Sequence, residues 1–240
     1  MSLTRYKALT FDCYGTLIDW ESGMFAALAP LLDKLPQRPG RDQVLEAHAR
    51  HESAQQRWTP AKRYSELLAV VYKRLAEEWG VPASWDEAEA YGASIPDWPA
   101  FPDSAEALRY LKQHYRLAIL SNVDNRSFAA SNAKLGVAFD AIFTAEDIGS
   151  YKPDRRNFDY MLEKLAGMGV ERGAVLHTAE SLFHDHVPAA GLGLATCWIH
   201  RRHEAGGFGA TMRPAHEPKV DFRFTSMAAL AEAHRKAAGG

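Results

Sequence analysis

The residues best suited to chemistry begin with an aspartate at the end of an apolar run. Residues 6–11 have the pattern of a buried strand, and Asp12 follows them directly. A carboxylate in that place is costly unless a site uses it. Gly15 allows the chain to reverse tightly near a bound group, and Thr16 places a hydroxyl beside the carboxylate. Because aspartate is also a common turn residue, the motif predicts either a nucleophilic carboxylate or an ordinary polar turn.

Three later stretches supply polar groups that would work with such a carboxylate. They are Ser121 and Asn122 after the apolar run 116–120, Lys152 in the loop 151–154, and Glu180, Ser181 and Asp185 after the run 174–178. Each has a plainer alternative, since a loop lysine is usually solvated and an aspartate before a helix often caps it. Their position in the fold decides between these alternatives.

The elements that carry these groups alternate between short apolar runs and helical periodicity from residue 97 onward. This alternation predicts an α/β fold with a doubly wound parallel sheet and helices on both faces. Ligands of such sheets bind beyond the carboxyl ends of the strands. Asp12, Lys152 and Asp185 are therefore expected to share one pocket at the same edge of the sheet.

Residues 20–96 differ from the rest, because their apolar residues recur at helical spacing and include no convincing strand. Three prolines between residues 95 and 103 mark the return of the chain. We therefore predict a core domain formed by residues 1–19 and 97–240. Residues 20–96 are expected to form an inserted, all-helical cap over one end of the sheet, with Trp20 in the core of that cap.

The composition of the 240-residue chain limits its partners and its location. The formal net charge of −2 argues against a nucleic-acid-binding surface. No apolar run is long enough to span a bilayer, and no signal region precedes the first strand, so no membrane partner is expected. Cys13 and Cys197 lie far apart in sequence, which predicts no disulfide and a reducing, cytoplasmic location. Apolar residues on the cap helices make a homodimer a reasonable expectation.

Four motifs in this order resemble those of the haloacid dehalogenase (HAD) superfamily. They are the stretch Phe11-Asp12-Cys13-Tyr14-Gly15-Thr16-Leu17, the pair Ser121-Asn122, the run Lys152-Pro153-Asp154, and the acidic segment with Glu180 and Asp185. The likeness spans nearly the whole chain, and the predicted cap lies where that superfamily inserts one. It implies a Rossmann-like HAD core with a helical cap, and a hydrolase that acts on a small-molecule substrate.

The second residue after the aspartate favours one branch of that superfamily. Phosphatases carry a second aspartate there, which protonates the leaving alcohol, whereas this chain has Tyr14. The opening motif is similar to that of the type II 2-haloacid dehalogenases, which need neither a metal nor an acid at that position. A halide leaves as a stable anion, but a phosphate ester leaves as an alkoxide unless it is protonated. The resemblance therefore implies hydrolysis of small 2-haloalkanoic acids to 2-hydroxy acids, through an Asp12 ester and without a cofactor.

The resemblance also implies a role for each matching residue. Asp12 is the nucleophile, and Lys152 keeps it ionised through a charge-assisted contact. Asp185 positions or activates the hydrolytic water with Ser181 nearby, and Thr16 hydrogen-bonds the nucleophile. The groups expected to hold the substrate carboxylate are Ser121, Asn122 and the backbone N–H groups of Cys13 and Tyr14.

Three features depart from the dehalogenase pattern. The family carries a cap arginine that takes the departing halide, and Arg50 is our candidate, with Arg57 and Arg63 as competitors. The tyrosine expected after the Lys-Pro motif falls at Phe158, which lacks the hydroxyl. Glu180 stands in a segment that is serine-rich in the dehalogenases.

Glu180 keeps a second function open. With Asp12 and Asp185 it resembles the acidic set with which phosphatases bind Mg²⁺, so the alternative is a Mg²⁺-dependent phosphatase acting on a small phosphate ester. A non-catalytic binding member of the fold is a third hypothesis, which the Asp12 and Lys152 pair disfavours. Three nearby histidines match no familiar zinc spacing: His177, His184 and His186. His184 is expected to form part of the pocket wall.

Overall fold

The computed structural model describes residues 2–239, and one parallel sheet lies at its centre. The strands are β1 (Ala8–Phe11), β2 (Arg116–Ser121), β3 (Ala141–Thr144), β4 (Val175–Ala179), β5 (Ala195–Ile199) and β6 (Phe222–Phe224). They lie in the order β3-β2-β1-β4-β5-β6, and every neighbouring pair is parallel. Because β1 lies between β2 and β4, the winding of the chain reverses at β1, which is the point where open α/β sheets bind ligands.

Helices connect the successive strands from β1 to β5, and another follows β6. They are α1 (Trp20–Ala27), α2 (Ala29–Leu32), α3 (Arg41–Trp58), α4 (Tyr64–Glu78), α5 (Trp85–Gly92), α6 (Ser104–Leu111), α7 (Asn125–Leu135), α8 (Ala145–Ile148), α9 (Arg155–Gly167), α10 (Val187–Gly191) and α11 (Met227–Ala238). Short 3₁₀ turns lie at Leu3–Arg5, Ile95–Asp97 and Arg172–Ala174, and a π-helical turn lies at Leu182–His186.

Both faces of the sheet are covered, as the sequence predicts. In β1, Leu9 and Phe11 belong to one apolar cluster, whereas Ala8 belongs to a second cluster on the opposite face. The residues of β2 divide between the two clusters in the same alternating way. A strand that is buried on both faces has a continuous apolar sequence, which explains why these strands could be recognised. The predicted doubly wound α/β class is confirmed.

The segment predicted as a cap contains the helices α1–α5 and, within the described chain, no named strand. Helix α4 packs against α3 and α5, and α1 packs against α3. The apolar cluster of these helices continues without a break into the layer that covers one face of the sheet. The division at residues 19/20 and 96/97 therefore stays a prediction, since packing alone does not separate the two parts.

A tight reversal follows β1 and brings the chain back over the strand end. Gly15 has a φ of +90°, which a residue with a Cβ rarely adopts. The backbone N–H groups of Leu17 and Ile18 both donate to the carbonyl of Cys13, at 2.7 and 3.0 Å. Ile18 then forms bridges with Tyr14 and with Ala100. The turn that the sequence predicts at Gly15 is therefore present, and it is fixed at both ends.

The two cysteines are free thiols, and both are buried. This confirms the prediction that they form no disulfide. Burial raises the pKa of each thiol, so neither is a reactive thiolate at neutral pH. As for membrane insertion, no helix within residues 2–239 has both the length and the apolar character needed to cross a bilayer.

Candidate active site

The ammonium group of Lys152 lies between two carboxylates at the carboxyl edge of the sheet. Its Nζ donates to Oδ1 of Asp12 at 2.9 Å and to Oδ1 of Asp185 at 2.7 Å. A third hydrogen bond, at 2.9 Å, goes to the carbonyl of Leu120 at the end of β2. All three ionisable side chains are buried. The structure thus brings together the three residues that the sequence predicts to share a pocket.

Thr16 orients the second oxygen of Asp12. Its Oγ1 donates to Oδ2 of Asp12 at 2.9 Å and accepts a hydrogen bond from the backbone N–H of Glu180, also at 2.9 Å. Because the hydroxyl has one proton, accepting from Glu180 directs that proton toward Asp12. The carboxylate of Asp12 therefore has a donor on each oxygen, which fixes its plane.

The charges of this cluster depend on one another. Burial raises the pKa of Asp12, an effect that the charge of Asp185 increases and that Lys152 and Thr16 oppose. Burial alone would also raise the pKa of Asp185, but Lys152 and a hydrogen bond from His177 outweigh it and hold that pKa well below its ordinary value. For Lys152, burial is outweighed by the two carboxylates, which raise its pKa. Lys152 therefore stays charged and holds the two carboxylates close together.

His177 is a member of the site that sequence reasoning misses. It lies on β4 in register with Thr10 of β1, and its Nδ1 is 2.8 Å from Thr10 Oγ1. Its Nε2 is 2.9 Å from Oδ1 of Asp185, and the ring of buried Phe158 packs edge-on against it at 5.3 Å. His177 therefore orients Asp185. The available signal was a histidine inside an apolar strand, because such a side chain needs a polar partner when it is buried.

Asn122 positions Lys152 instead of remaining free for a substrate. Its Nδ2 donates to the carbonyl of Lys152 at 3.0 Å, and its Oδ1 accepts from the backbone N–H of Lys152 at 2.7 Å. The side-chain amide that was expected to hold a substrate carboxylate is thus engaged with the main chain. Ser121 differs, because its buried Oγ has no hydrogen-bond partner among the described residues.

The other predicted substrate contacts lie at or beside the pocket wall. The side chain of Cys13 is buried in the apolar core, so only its backbone is available to a ligand. The ring of Tyr14 lines the pocket, but its hydroxyl lies 2.9 Å from Oγ of Ser131. Ser181 also lines the pocket, and its Oγ accepts from the backbone N–H of His184 at 3.0 Å.

The pocket over Asp12 is a small cavity of about 30 Å³, with room for about one or two water molecules. Its walls are formed by Asp12, Tyr14, Trp20, Glu52, Gln56, Tyr64, Ser121, Asn122, Lys152, Ser181, His184, Asp185 and Thr211. Helices α1, α3 and α4 contribute four of these side chains, so the segment predicted as a cap covers the site. His184 forms part of the wall, as expected.

Within residues 2–239, no arginine of the cap lines this cavity, and the prediction for Arg50 is wrong. The Arg50 side chain is 54% exposed, and its NH2 group pairs with Oε1 of Glu78 at 2.8 Å. Arg57 and Arg63 are also exposed and bind partners elsewhere. The reason lies in the rotation of α3, which directs its arginines to solvent and another set of side chains to the sheet.

That inward set on α3 consists of His48, Glu52 and Gln56, which the sequence analysis did not single out. All three are buried, and they recur every four residues, so they share one face of the helix. Trp20 packs edge-on against His48 at 6.3 Å and lines the cavity, where we expected only core packing. These polar residues recur at the same helical spacing as the apolar residues of α3, and that spacing was the signal that could have revealed them.

The predicted acidic set does not fit a magnesium ion in its present arrangement. The side chain of Glu180 lines neighbouring cavities instead of the one over Asp12. Burial, with the charge of Glu21, raises the pKa of Glu180 to about 8. Asp12 and Asp185 share Lys152, whose charge opposes a nearby cation. In the part of the chain that the structure describes, no group of three or more His, Cys, Asp or Glu side chains is arranged to hold a metal.

Comparison with known proteins gives one consistent family. The model of the haloacid dehalogenase-like hydrolases matches residues 6–178. The (S)-2-haloacid dehalogenase of Pseudomonas sp. (strain YL) is 28% identical over 245 residues, which cover 97% of this chain and 96% of that protein.

Two solved structures show that the fold extends over nearly the whole chain. The L-2-haloacid dehalogenase from Xanthobacter autotrophicus, with chloropropionic acid covalently bound, has a TM-score of 0.75 and 19% identity, covering 96% of this chain and 98% of that chain. The HAD-hydrolase YfnB of Bacillus subtilis, bound to magnesium, has a TM-score of 0.73 and 20% identity, covering 96% and 99%. At these identities, both comparisons establish the fold.

Proposed function

Because this chain belongs to the haloacid dehalogenase-like hydrolases, we propose that it hydrolyses small 2-haloalkanoic acids to 2-hydroxy acids through an ester on Asp12. The observation that carries the proposal is the buried hydrogen bond of 2.9 Å from Lys152 Nζ to Asp12, in a cavity where Tyr14 stands in place of a second acid. The name of the Pseudomonas relative, an (S)-2-haloacid dehalogenase, supports the same reaction.

In the first step, a carboxylate oxygen of Asp12 attacks the carbon that bears the halogen. The new C–O bond forms as the carbon–halogen bond breaks, and the halide leaves with the bonding electron pair. Lys152 and Thr16 keep Asp12 ionised and oriented for this attack. Holding the two reacting atoms in a fixed geometry supplies much of the rate enhancement.

In the second step, water adds to Cγ of Asp12, the bond from Cγ to the substrate oxygen breaks, and the 2-hydroxy acid is released. Oδ2 of Asp185 is buried and has no hydrogen-bond partner within residues 2–239, so it is available to orient that water. Nε2 of His184 is likewise unpartnered among the described residues. Burial lowers the pKa of His184 to about 4, so its imidazole is neutral and able to accept a proton from the water.

The substrate carboxylate would bind near the ends of β1 and β2. Oγ of Ser121 is buried and unpartnered among the residues described, and the backbone of Cys13 and Tyr14 follows Asp12 directly. The cavity has room for only about one or two water molecules, so the helices over the site must move outward to admit any haloacid, and the shortest acids need the smallest movement. We therefore expect haloacetates and 2-halopropionates to be the best substrates.

The test is halide release from a panel of chloro-, bromo- and fluoroacids without added metal. We expect release with the unmodified protein and none with Asp12→Asn. Mass spectrometry after quenching with hydroxylamine should detect modified Asp12, which separates a catalyst from a protein that only binds the acid. No halide release with any acid of the panel would remove this proposal.

A Mg²⁺-dependent phosphatase remains the second candidate. One observation favours it. Oδ2 of Asp185 has no hydrogen-bond partner among the described residues, and the charge of Asp185 helps to raise the pKa of Glu180, so the two carboxyl groups interact. It would require the carboxylates to move from the arrangement described above. Phosphate release that depends on Mg²⁺ and disappears in Asp185→Ala would support this candidate, whereas phosphate release that is insensitive to EDTA, or absent, would reject it.

Location and assembly form the remaining part of the proposal. Two buried free thiols support a cytoplasmic location, where such thiols stay reduced. Trp58 and Trp85 are the large apolar residues most exposed on the cap helices, at 63% and 56%, and they support a homodimer formed through the cap. Light scattering of the protein and of Trp58→Ser tests the dimer.

A further inference from the structure

The cap wall of the cavity carries one acidic side chain and, among the described residues, no cation. That acid is Glu52 on α3, which is only 4% exposed. It lines the same cavity as Asp12, Lys152 and Asp185. The proposed mechanism does not use it, and a buried acid without a function is costly.

The partners of Glu52 leave it without a positive charge. Nε2 of Gln56 donates to its Oε1 at 3.1 Å, and Tyr64 forms a further hydrogen bond with it. Nδ1 of His48 lies 3.6 Å from its Oε2, but burial lowers the pKa of His48 to about 3, so that ring is neutral. Burial accordingly raises the pKa of Glu52 to about 7. Glu52 is therefore partly protonated at neutral pH and carries a proton below it.

The surrounding charges favour the same protonated form. The titratable or charged groups that surround Glu52 or act on its partners are His48 and His51 on α3, Tyr64 on α4, Tyr91 on α5, Tyr14 after β1, Tyr151 beside Lys152, and the cavity residues Asp12, Lys152, His184 and Asp185. In this cavity, two carboxylates share one ammonium. An anionic acid that enters such a site adds another negative charge, which favours a neutral Glu52 further.

We propose that the protonated carboxyl group of Glu52 donates a hydrogen bond to the departing halide, and that the site therefore favours 2-fluoro acids. The inference rests on the proposed dehalogenation. Gln56 and Tyr64 are engaged with Glu52 and hold it in position. In this arrangement an acid occupies the cap side of the cavity, where the sequence led us to expect an arginine.

The step balances in atoms and electrons. As Asp12 forms its ester bond, the carbon–fluorine bond breaks and fluoride takes the electron pair, while Glu52 keeps its proton and hydrogen-bonds the anion. Hydrolysis of the ester consumes one water molecule, whose oxygen enters Asp12 while one of its hydrogens becomes the hydroxyl hydrogen of the product. The other hydrogen leaves as a proton, so the net products are the 2-hydroxy acid, fluoride and a proton.

Fluoride gains most from such a donor, because it is the most basic halide and the strongest hydrogen-bond acceptor among them. Chloride and bromide are weaker acceptors that leave readily without a donor. Loss of one positioned donor to a developing anion typically costs about 10²–10³-fold in rate. The cavity of about 30 Å³ also favours the smallest halogen.

The test compares halide release from fluoroacetate, chloroacetate and bromoacetate by the wild-type protein, Glu52→Met, Glu52→Gln and the control Glu46→Met. Glu46 lies on the same helix but is exposed. We expect Glu52→Met, which has no donor, to lower kcat for fluoride release about 100-fold and kcat for bromide release less than about tenfold. Glu52→Gln, whose amide still donates a hydrogen bond, should retain part of the fluoride activity, and Glu46→Met should match the wild type.

The pH profile gives a second measurement. Wild-type fluoride release should fall as the pH rises through about 7, because Glu52 then loses its proton. Bromide release should fall much less, and in Glu52→Gln the fall near pH 7 should disappear. Urea unfolding of each variant checks that it is folded. Should Glu52→Met not fold, Glu52→Gln and the wild-type pH profiles still give a result.

Two outcomes overturn the inference alone. One is an equal loss of fluoride and bromide release in Glu52→Met, which would indicate a structural role. The other is unchanged fluoride release in that variant. In both cases the wild type still releases halide, so the proposed dehalogenase function stands. If the wild type releases none of the three halides, both the function and the inference are rejected.

Discussion

The hydroxyl of Tyr14 lies 2.9 Å from Oγ of Ser131 on α7. The side chain two positions after Asp12 therefore directs its polar atom into the helix layer, and its aromatic ring lines the cavity. A phenol in this arrangement cannot protonate a leaving group bound to Asp12. This relationship explains how the opening motif suits a leaving group that departs as an anion.

Replacing Tyr14 by phenylalanine should therefore change activity little. We expect kcat/KM for chloroacetate within about threefold of the wild type and a loss of about 1 kcal/mol in the free energy of unfolding, the usual contribution of one hydrogen bond. Ser131→Ala should have the same small effect, and the double variant should add little. Steady-state kinetics and urea unfolding measure both. A 100-fold loss in Tyr14→Phe would mean that the hydroxyl takes part in the reaction.

Lys152→Ala should abolish halide release and also destabilise the fold. Without the ammonium, two buried carboxylates lie close together unpaired, and breaking a buried ion pair typically costs about 3–5 kcal/mol. Lys112→Ala is the matched control, because Lys112 pairs with Asp140 at the surface, where such a pair contributes about 1 kcal/mol or less. Urea unfolding at pH 7 compares the two. Similar losses in the two variants would contradict a central role for Lys152.

Glu180→Gln should raise the free energy of unfolding above that of the wild type, and this gain should be larger at pH 8 than at pH 5. The pKa of Glu180 is 4.5 when exposed and about 8 here, because burial and the charge of Glu21 raise it. Between these values the folded state keeps the proton that the unfolded state has lost, so wild-type stability falls as the pH rises. Glutamine removes that proton linkage.

The comparison must use the difference between the two proteins at each pH. Buried histidines such as His184, whose pKa burial lowers to about 4, contribute a pH dependence of the opposite sign. Subtracting the wild-type free energy of unfolding from that of Glu180→Gln cancels such contributions. We expect the difference to grow from pH 5 to pH 8. A difference that is constant over this range would show that Glu180 ionises normally.

The sequence was sufficient to predict the sheet and the centre of the site, for a simple physical reason. Parallel strands buried on both faces have continuous apolar sequences, and their carboxyl ends must meet at one edge. Asp12, Lys152 and Asp185 follow such ends, so their meeting was predictable. The role of His177 was missed, because it was considered only as a metal ligand, although a histidine buried in an apolar strand needs a polar partner.

The cap side of the site depends on packing that no local pattern encodes. Arg50 and Glu52 are two residues apart on α3, and the rotation of that helix directs one to solvent and the other to the cavity. Arginine at position 50 was favoured because of its charge, although the four-residue spacing of His48, Glu52 and Gln56 marked the buried face. Burial periodicity was therefore a better guide to the cap wall than the expected chemistry.

Arg201, just after β5, holds the turn that carries the nucleophile. Its Nε and NH2 groups donate to the carbonyl of Thr16 at 3.2 and 2.9 Å, and its NH1 pairs with Asp103 at 2.9 Å. Arg201→Lys keeps the charge but loses the paired contact to the Thr16 carbonyl. The Thr16 hydroxyl, which donates to Asp12, is then held less firmly. We expect kcat for halide release to fall about 10- to 100-fold, the effect of a small misplacement of reacting groups, with KM nearly unchanged.

The matched control for Arg201→Lys is Arg235→Lys. Both arginines stack on an aromatic ring, Arg201 on Phe101 at 4.0 Å and Arg235 on Tyr110 at 4.2 Å, but Arg235 is exposed on α11. Loss of stacking alone should therefore affect both variants equally. If Arg235→Lys lowers kcat as much as Arg201→Lys, the bonds to Thr16 do not position Asp12. A fall confined to Arg201→Lys, with the protein still folded by circular dichroism, is the expected result.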